Sequence, residues 1–165
     1  MPEDDGRNET PTQRADRNLS ELLQELRVAL PGVQVLFAFL LTVPFQQSFR
    51  DVTEFQRDVY FGTLLCSTLA SALLMAPSAY HRLNFRRRDK THIVETANKF
   101  MIAGLAVLAV AMTGAITLVT DYLFGPVTVA LTVAIAALGF ATLWFAMPLA
   151  RRRERDRGQK PEGPR

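Results

Sequence analysis

The side chains able to hold a proton, a metal or a nucleophile are few, and their positions restrict the chemistry more than their types do. His81 and His92 stand eleven residues apart in a basic stretch with Arg82, Arg86, Arg87, Arg88 and Lys90. No His-Glu-x-x-His pattern joins them, so they read as interfacial residues and no metal site is expected. Cys66 is the one cysteine, which excludes an intramolecular disulfide and a paired-thiolate metal centre. Neither a glycine-rich phosphate loop nor a Gly-x-Ser-x-Gly elbow occurs. No catalytic residue and no cofactor is expected, and the chain is not read as an enzyme. Coupled ion transport needs an ionisable group held at depth in a membrane. The acids Asp58, Glu95 and Asp121 instead border long uncharged runs, whose interiors offer Gln34, Thr63, Ser67 and Thr113. These four are candidates for a polar notch.

Long apolar segments built on those runs set the architecture. Residues of about 28–49, 59–80, 98–120 and 126–149 are each mostly apolar, and about 20 such residues make a helix long enough to cross roughly 30 Å of hydrocarbon. The expected fold is all-α, a four-helix transmembrane bundle over residues 18–150. The mean hydropathy of +0.08 averages these spans with charged tails at 1–17 and 151–165, which are expected to be disordered. No cleavable leader is apparent, so the first span should remain as an anchor.

Charge placement predicts orientation. Of 19 Lys and Arg residues, Arg50 and Arg57 fall in the first connection; the others lie in the N-terminal segment, around the second connection or in the C-terminal tail. Basic residues flanking short spans stay in the cytoplasm, so a plasma-membrane protein with both termini cytoplasmic is expected. The net charge of +3 therefore points to anionic lipid headgroups rather than nucleic acid. His81, Arg82, Arg86, Arg87, Arg88 and Lys90 are the candidates for holding a headgroup or docking a segment of the chain.

Local patterns refine the bundle. Asn18 with Glu21 has the form of a helix start, and Leu19, Leu22, Leu23, Leu26 and Leu30 make the following leader amphipathic. Its acidic polar face favours packing on protein, with Arg86 to Arg88 as counter-charge. Pro31-Gly32 predicts a kink or a new helix start. Pro44 frees a backbone carbonyl expected to be met by water or by Gln46 and Gln47, and Phe55 is expected as the apolar contact of the outer loop. Thr63, Ser67 and Ser71, spaced by four, suit close helix approach and interhelical hydrogen bonds, making the second span the most enclosed. Ala111 and Ala115, with Thr113 and Thr117, repeat the device in the third. Asp89 is a candidate cap for that helix. Gly125-Pro126 predicts a tight hairpin into the fourth span, where Trp144 suits an interfacial anchor.

The segments Glu25-Leu26-Arg27-Val28-Ala29-Leu30-Pro31-Gly32-Val33-Gln34-Val35-Leu36-Phe37, continuing to Pro44-Phe45, and Ala76-Pro77-Ser78-Ala79-Tyr80-His81-Arg82 with Phe85-Arg86 resemble a family of small, uncharacterised four-span membrane proteins from actinobacteria. The resemblance covers roughly residues 18–150. Some relatives carry the label sodium:proton antiporter, but the family has no established binding residues to carry over. A partner, regulatory or membrane-organising subunit is the expected role, working in a homo-oligomer or with another membrane protein. The alternative is a small oligomeric transporter or channel.

Overall fold

The computed structural model describes residues 10–83 and 90–158. Its elements are α1 (Pro11–Thr42), α2 (Glu54–Leu83), α3 (Lys90–Leu123), α4 (Pro126–Phe140) and α5 (Met147–Gly158). There is no strand among the described residues. Two 3-10 turns, Val43–Phe45 and Gln47–Asp51, connect α1 to α2, and a widened π turn, Ala141–Ala146, carries α4 into α5. Among the described residues, four helical segments are long and apolar enough to cross a membrane: Asp16–Phe45, Glu54–Tyr80, Val94–Leu123 and Pro126–Arg151.

Both helical ends reach further than expected. The start of α1 is capped by Thr10, whose hydroxyl accepts from the Gln13 backbone N–H at 3.3 Å while the Gln13 Oε1 accepts from the Thr10 N–H at 2.9 Å. Two end donors are satisfied reciprocally, so Asn18 lies inside the helix and α1 begins at Pro11, seven residues before the expected start. At the other end, α5 carries the helix to Gly158.

Pro31 likewise does not break α1, which runs through it as 32 continuous residues, about 48 Å at 1.5 Å per residue. The reason lies in the buried side of the helix. Leu19, Leu26, Val33 and Leu40 are buried at every seventh position, so residues on both sides of Pro31 are held in one stripe. Pro31 itself faces outward and removes one backbone bond.

The chain forms two compact units, residues 1–111 and 112–165. In the first, three helices bury stripes with heptad spacing. Along α2 the stripe is Tyr60, Thr63, Ser67, Ala70, Leu74 and Pro77; along α3 it is Ala97, Met101, Gly104, Leu108 and Ala111. Alternating steps of three and four residues keep a seam against a neighbour in left-handed packing, with crossing angles near 20°. α2 is the most enclosed of the four apolar helices, as its small and hydroxyl residues lead one to expect.

The second unit contains the end of α3, α4, the π turn and α5. Gly125 caps α4 and Pro126 is its first residue, the arrangement the turn sequence predicts. No residue of α4 is buried. The π turn answers Pro148, which has no N–H for the carbonyl four residues back and whose ring would strike it. One extra residue in the turn lets the Met147 N–H bond to the Thr142 carbonyl, five residues back. Trp144 lies in this turn, its ring 5.0 Å from that of Phe140.

Candidate functional site

The first unit is fastened at one end by a proline and a tyrosine. Pro44 has no N–H for the carbonyl of Leu40, four residues earlier, which is left open. The Tyr60 hydroxyl, from the first turns of α2, donates to that carbonyl at 3.0 Å. The Tyr60 ring is in turn held edge-on by Phe49 of the connection, centroids 5.0 Å apart. This replaces the expected role of Gln46 and Gln47, which are exposed. Phe49, not the exposed Phe55, is the aromatic that fixes the loop. Thr53 completes the turn, its hydroxyl accepting from the Gln56 N–H while Gln56 Oε1 accepts from the Thr53 N–H.

From that fastening the packing proceeds by level. Seven residues along each helix from Leu40 and Tyr60 lie Val33 and Ser67, both buried; seven more reach Leu26 and Leu74, both fully buried. Equal rise per residue brings these pairs to common heights. α3 joins at Gly104, where a Cβ would fall 2.8 Å from Leu74 Cγ and 3.3 Å from Leu73 Cβ. Only hydrogen fits there, so the glycine sets the separation of α2 and α3. Leu19 and Leu26 continue the stripe along the leader, which packs on protein as its polar face suggested, while Arg17 pairs with Glu21 at 3.5 Å on the outer side.

The hydroxyls bond mainly along their own helices. Thr63 donates to the Val59 carbonyl, Thr68 to Leu64, Ser71 to Ser67, Thr117 to Thr113 and Thr120 to Ile116, each four residues back at 2.7 to 2.9 Å. They are thereby neutralised as polar groups rather than linking helices. Ser67 differs: it is fully buried and its hydroxyl has no partner.

Of the four notch candidates, the structure places Thr63 and Ser67 together on the buried stripe of α2. Gln34 is elsewhere. It follows the buried Val33 by one residue, about 100° round the helix, and is exposed. Thr113, half-buried, belongs to the second unit. Of the basic candidates, His81 and Arg82 fall in the last turn of α2, with the Arg82 side chain exposed, and Lys90 opens α3. Arg86, Arg87 and Arg88 lie outside the described residues, as does Asp89. No three His, Cys, Asp or Glu side chains come together among the described residues.

Two structurally decisive residues, Tyr60 and Gly104, escaped the sequence reading, although each left a signal. Pro44 marks the Leu40 carbonyl as needing a donor, and Tyr60 is the hydroxyl at the matching end of the next span. Gly104 stands midway between Ala97 and Ala111 in a seven-residue repeat of small side chains.

Compared with known proteins, the sequence matches the model of a family of unknown function (DUF6328) over residues 8–148. No curated protein and no solved structure matches it.

Proposed function

The chain belongs to the DUF6328 family, and on that premise we propose that it is a non-enzymatic, four-span subunit of the plasma membrane that works by associating with other membrane proteins. Both termini and the basic segment around residues 81–99 face the cytoplasm in this reading, since Arg50 and Arg57 are the only basic residues at the opposite ends of the spans. His81, Arg82, Arg86, Arg87, Arg88 and Lys90 then lie at the inner headgroup level, where each basic side chain contributes about 1 kcal/mol of attraction to anionic lipid.

The observation that carries this reading is the character of the packed stripes. They are mostly apolar; of their hydroxyls, Tyr60 is bonded to the Leu40 carbonyl and Thr63 to Val59 of its own helix, and Gln34, the amide in the apolar half of α1, points away from them. Proton or sodium exchange requires a group at depth that changes charge or coordinates an ion; among the described residues the first unit's buried stripes offer the hydroxyls of Tyr60, Thr63 and Ser67 and no carboxylate or ammonium. Large apolar side chains such as Phe39, Leu65, Leu131 and Ile135 remain uncovered for lipid and partners.

Reconstitution tests it. Purified protein in proteoliposomes should pass no ion down an imposed gradient; robust gradient-driven flux abolished by Gln34→Leu would replace the subunit reading with the transporter one. Mild detergent extraction should yield a stoichiometric assembly. Reporters fused after Phe55 and after Arg88 should read outside and inside respectively, and an external Arg88 reporter would invert the orientation.

A further inference from the structure

Gln34 is an amide on an otherwise weakly polar helix face, and it makes no hydrogen bond with any described residue. It lies seven residues beyond Arg27, about 10 Å along the helix, and eight residues before the end of α1 at Thr42. In the four-span reading on which this inference rests, neither headgroup region is within reach of its side chain. Hydrocarbon offers no donor or acceptor, so lipid contact leaves the amide's hydrogen-bonding groups unmatched.

The residues around it form a second stripe. Arg27, Pro31, Gln34, Ala38 and Leu41 are all exposed and follow one another by four, three, four and three residues, a heptad repeat like the seven-residue period of the buried side. The bulky exposed residues Val28, Val35 and Phe39 lie further round the helix. Beside Gln34 the stripe carries Pro31 and Ala38, compact side chains that allow another helix to approach.

We propose that this stripe of α1 is the contact surface for a second copy of the same chain, with the two Gln34 amides hydrogen-bonded to each other across the dimer axis. The choice of a second copy follows from symmetry. Copies inserted with the same orientation are related by a two-fold axis perpendicular to the membrane, so a residue near the axis meets itself at its own depth. An amide is both donor and acceptor, and one Gln per chain therefore supplies a complete reciprocal pair. A different partner would need its own polar group at that same depth. The heptad spacing sets the contact as left-handed, parallel α1 against α1.

The test uses full-length protein in native membranes with Cys66 replaced by Ser, so that a single introduced cysteine reports. Oxidation should join Ala38→Cys chains into disulfide-linked dimers, because bridged Cβ atoms must come within about 4 Å. Phe39→Cys, turned about 100° away, should remain monomeric. Gln34→Leu should weaken dimerisation about tenfold, the size expected of a polar contact in a membrane, whereas Gln34→Asn should retain most of it. Gln34, Ala38 and Phe39 are exposed and Cys66 lies off the buried stripe of α2, so the substitutions leave the buried stripes intact. Equal crosslinking at positions 38 and 39, or an unchanged dimer fraction with Gln34→Leu, would overturn the proposal. A monomer that holds a different membrane protein through Gln34 would also overturn it while leaving the subunit role standing; ion flux from a protein that still dimerises would overturn only that role.

Discussion

The first unit and α4 invert the usual relation between apolar content and burial. α4, Pro126–Phe140, is a nearly unbroken apolar sequence whose residues are all exposed or half-buried; α1 carries charge along half its length and buries a residue every seventh position. In water the more apolar helix would be the inner one. In the four-span reading proposed above the helices are surrounded by hydrocarbon, where that driving force is absent and association depends on small residues, close fit and hydrogen bonds. The first unit has all three in Gly104, the heptad stripes and Tyr60. α4 has small residues, including Gly139, but nothing lies within 4 Å of where a Gly139 Cβ would be. Packing, not apolarity, separates the two regions.

That contrast breaks most severely at the glycines. Gly104→Leu should destabilise by about 3 kcal/mol or more through overpacking against Leu74, whereas Gly139→Leu should shift stability by under about 0.5 kcal/mol. Thermal unfolding of the detergent-solubilised protein compares them directly, and equal losses would mean that α4 is as tightly packed as α3. Next in size, Leu74→Ala opens a cavity in a fully buried position and should cost about 2 to 4 kcal/mol; Ile135→Ala, on the exposed surface of α4, should cost almost none. Tyr60→Phe keeps the ring against Phe49 but removes the donor to the Leu40 carbonyl, a loss of about 1 kcal/mol. Hydrogen exchange at the end of α1 should quicken in that variant, and unchanged exchange would reassign the fastening to the ring contact. The smallest effect has the opposite sign. Ser67→Ala removes a buried, unpartnered hydroxyl and should stabilise by about 0.5 to 1 kcal/mol; destabilisation would show that the hydroxyl holds a partner such as water.

The four apolar helices were legible because length and freedom from charge suffice to identify them, and the all-α class follows. The cap at Thr10 was passed over for Asn18 because both sites present the same side-chain pattern, Thr10 with Gln13 and Asn18 with Glu21; nothing local distinguishes a first turn from an inner one. Pro31-Gly32 predicts a kink or a new helix start because a proline's cost is local, and no new start occurs because the stripe that spans it, from Leu26 to Val33, is held by tertiary contact. Which way the polar side chains of α1 and α2 face was not legible for a related reason. Gln34, Thr63 and Ser67 lie at similar heights, but the direction each side chain faces depends on which helix neighbours which.

Taken alone, the sequence determined the helical class, the number of long apolar helices, the enclosed character of α2 and the sparseness of ionisable groups within the runs. These follow from composition and period, which are properties of a segment by itself. Only the tertiary structure decided that α1 continues through Pro31, that Tyr60 answers the carbonyl Pro44 exposes, that Gly104 governs the approach of α2 and α3, and that Gln34 faces outward. Each of those depends on a second helix at a particular distance and rotation, which no single segment encodes.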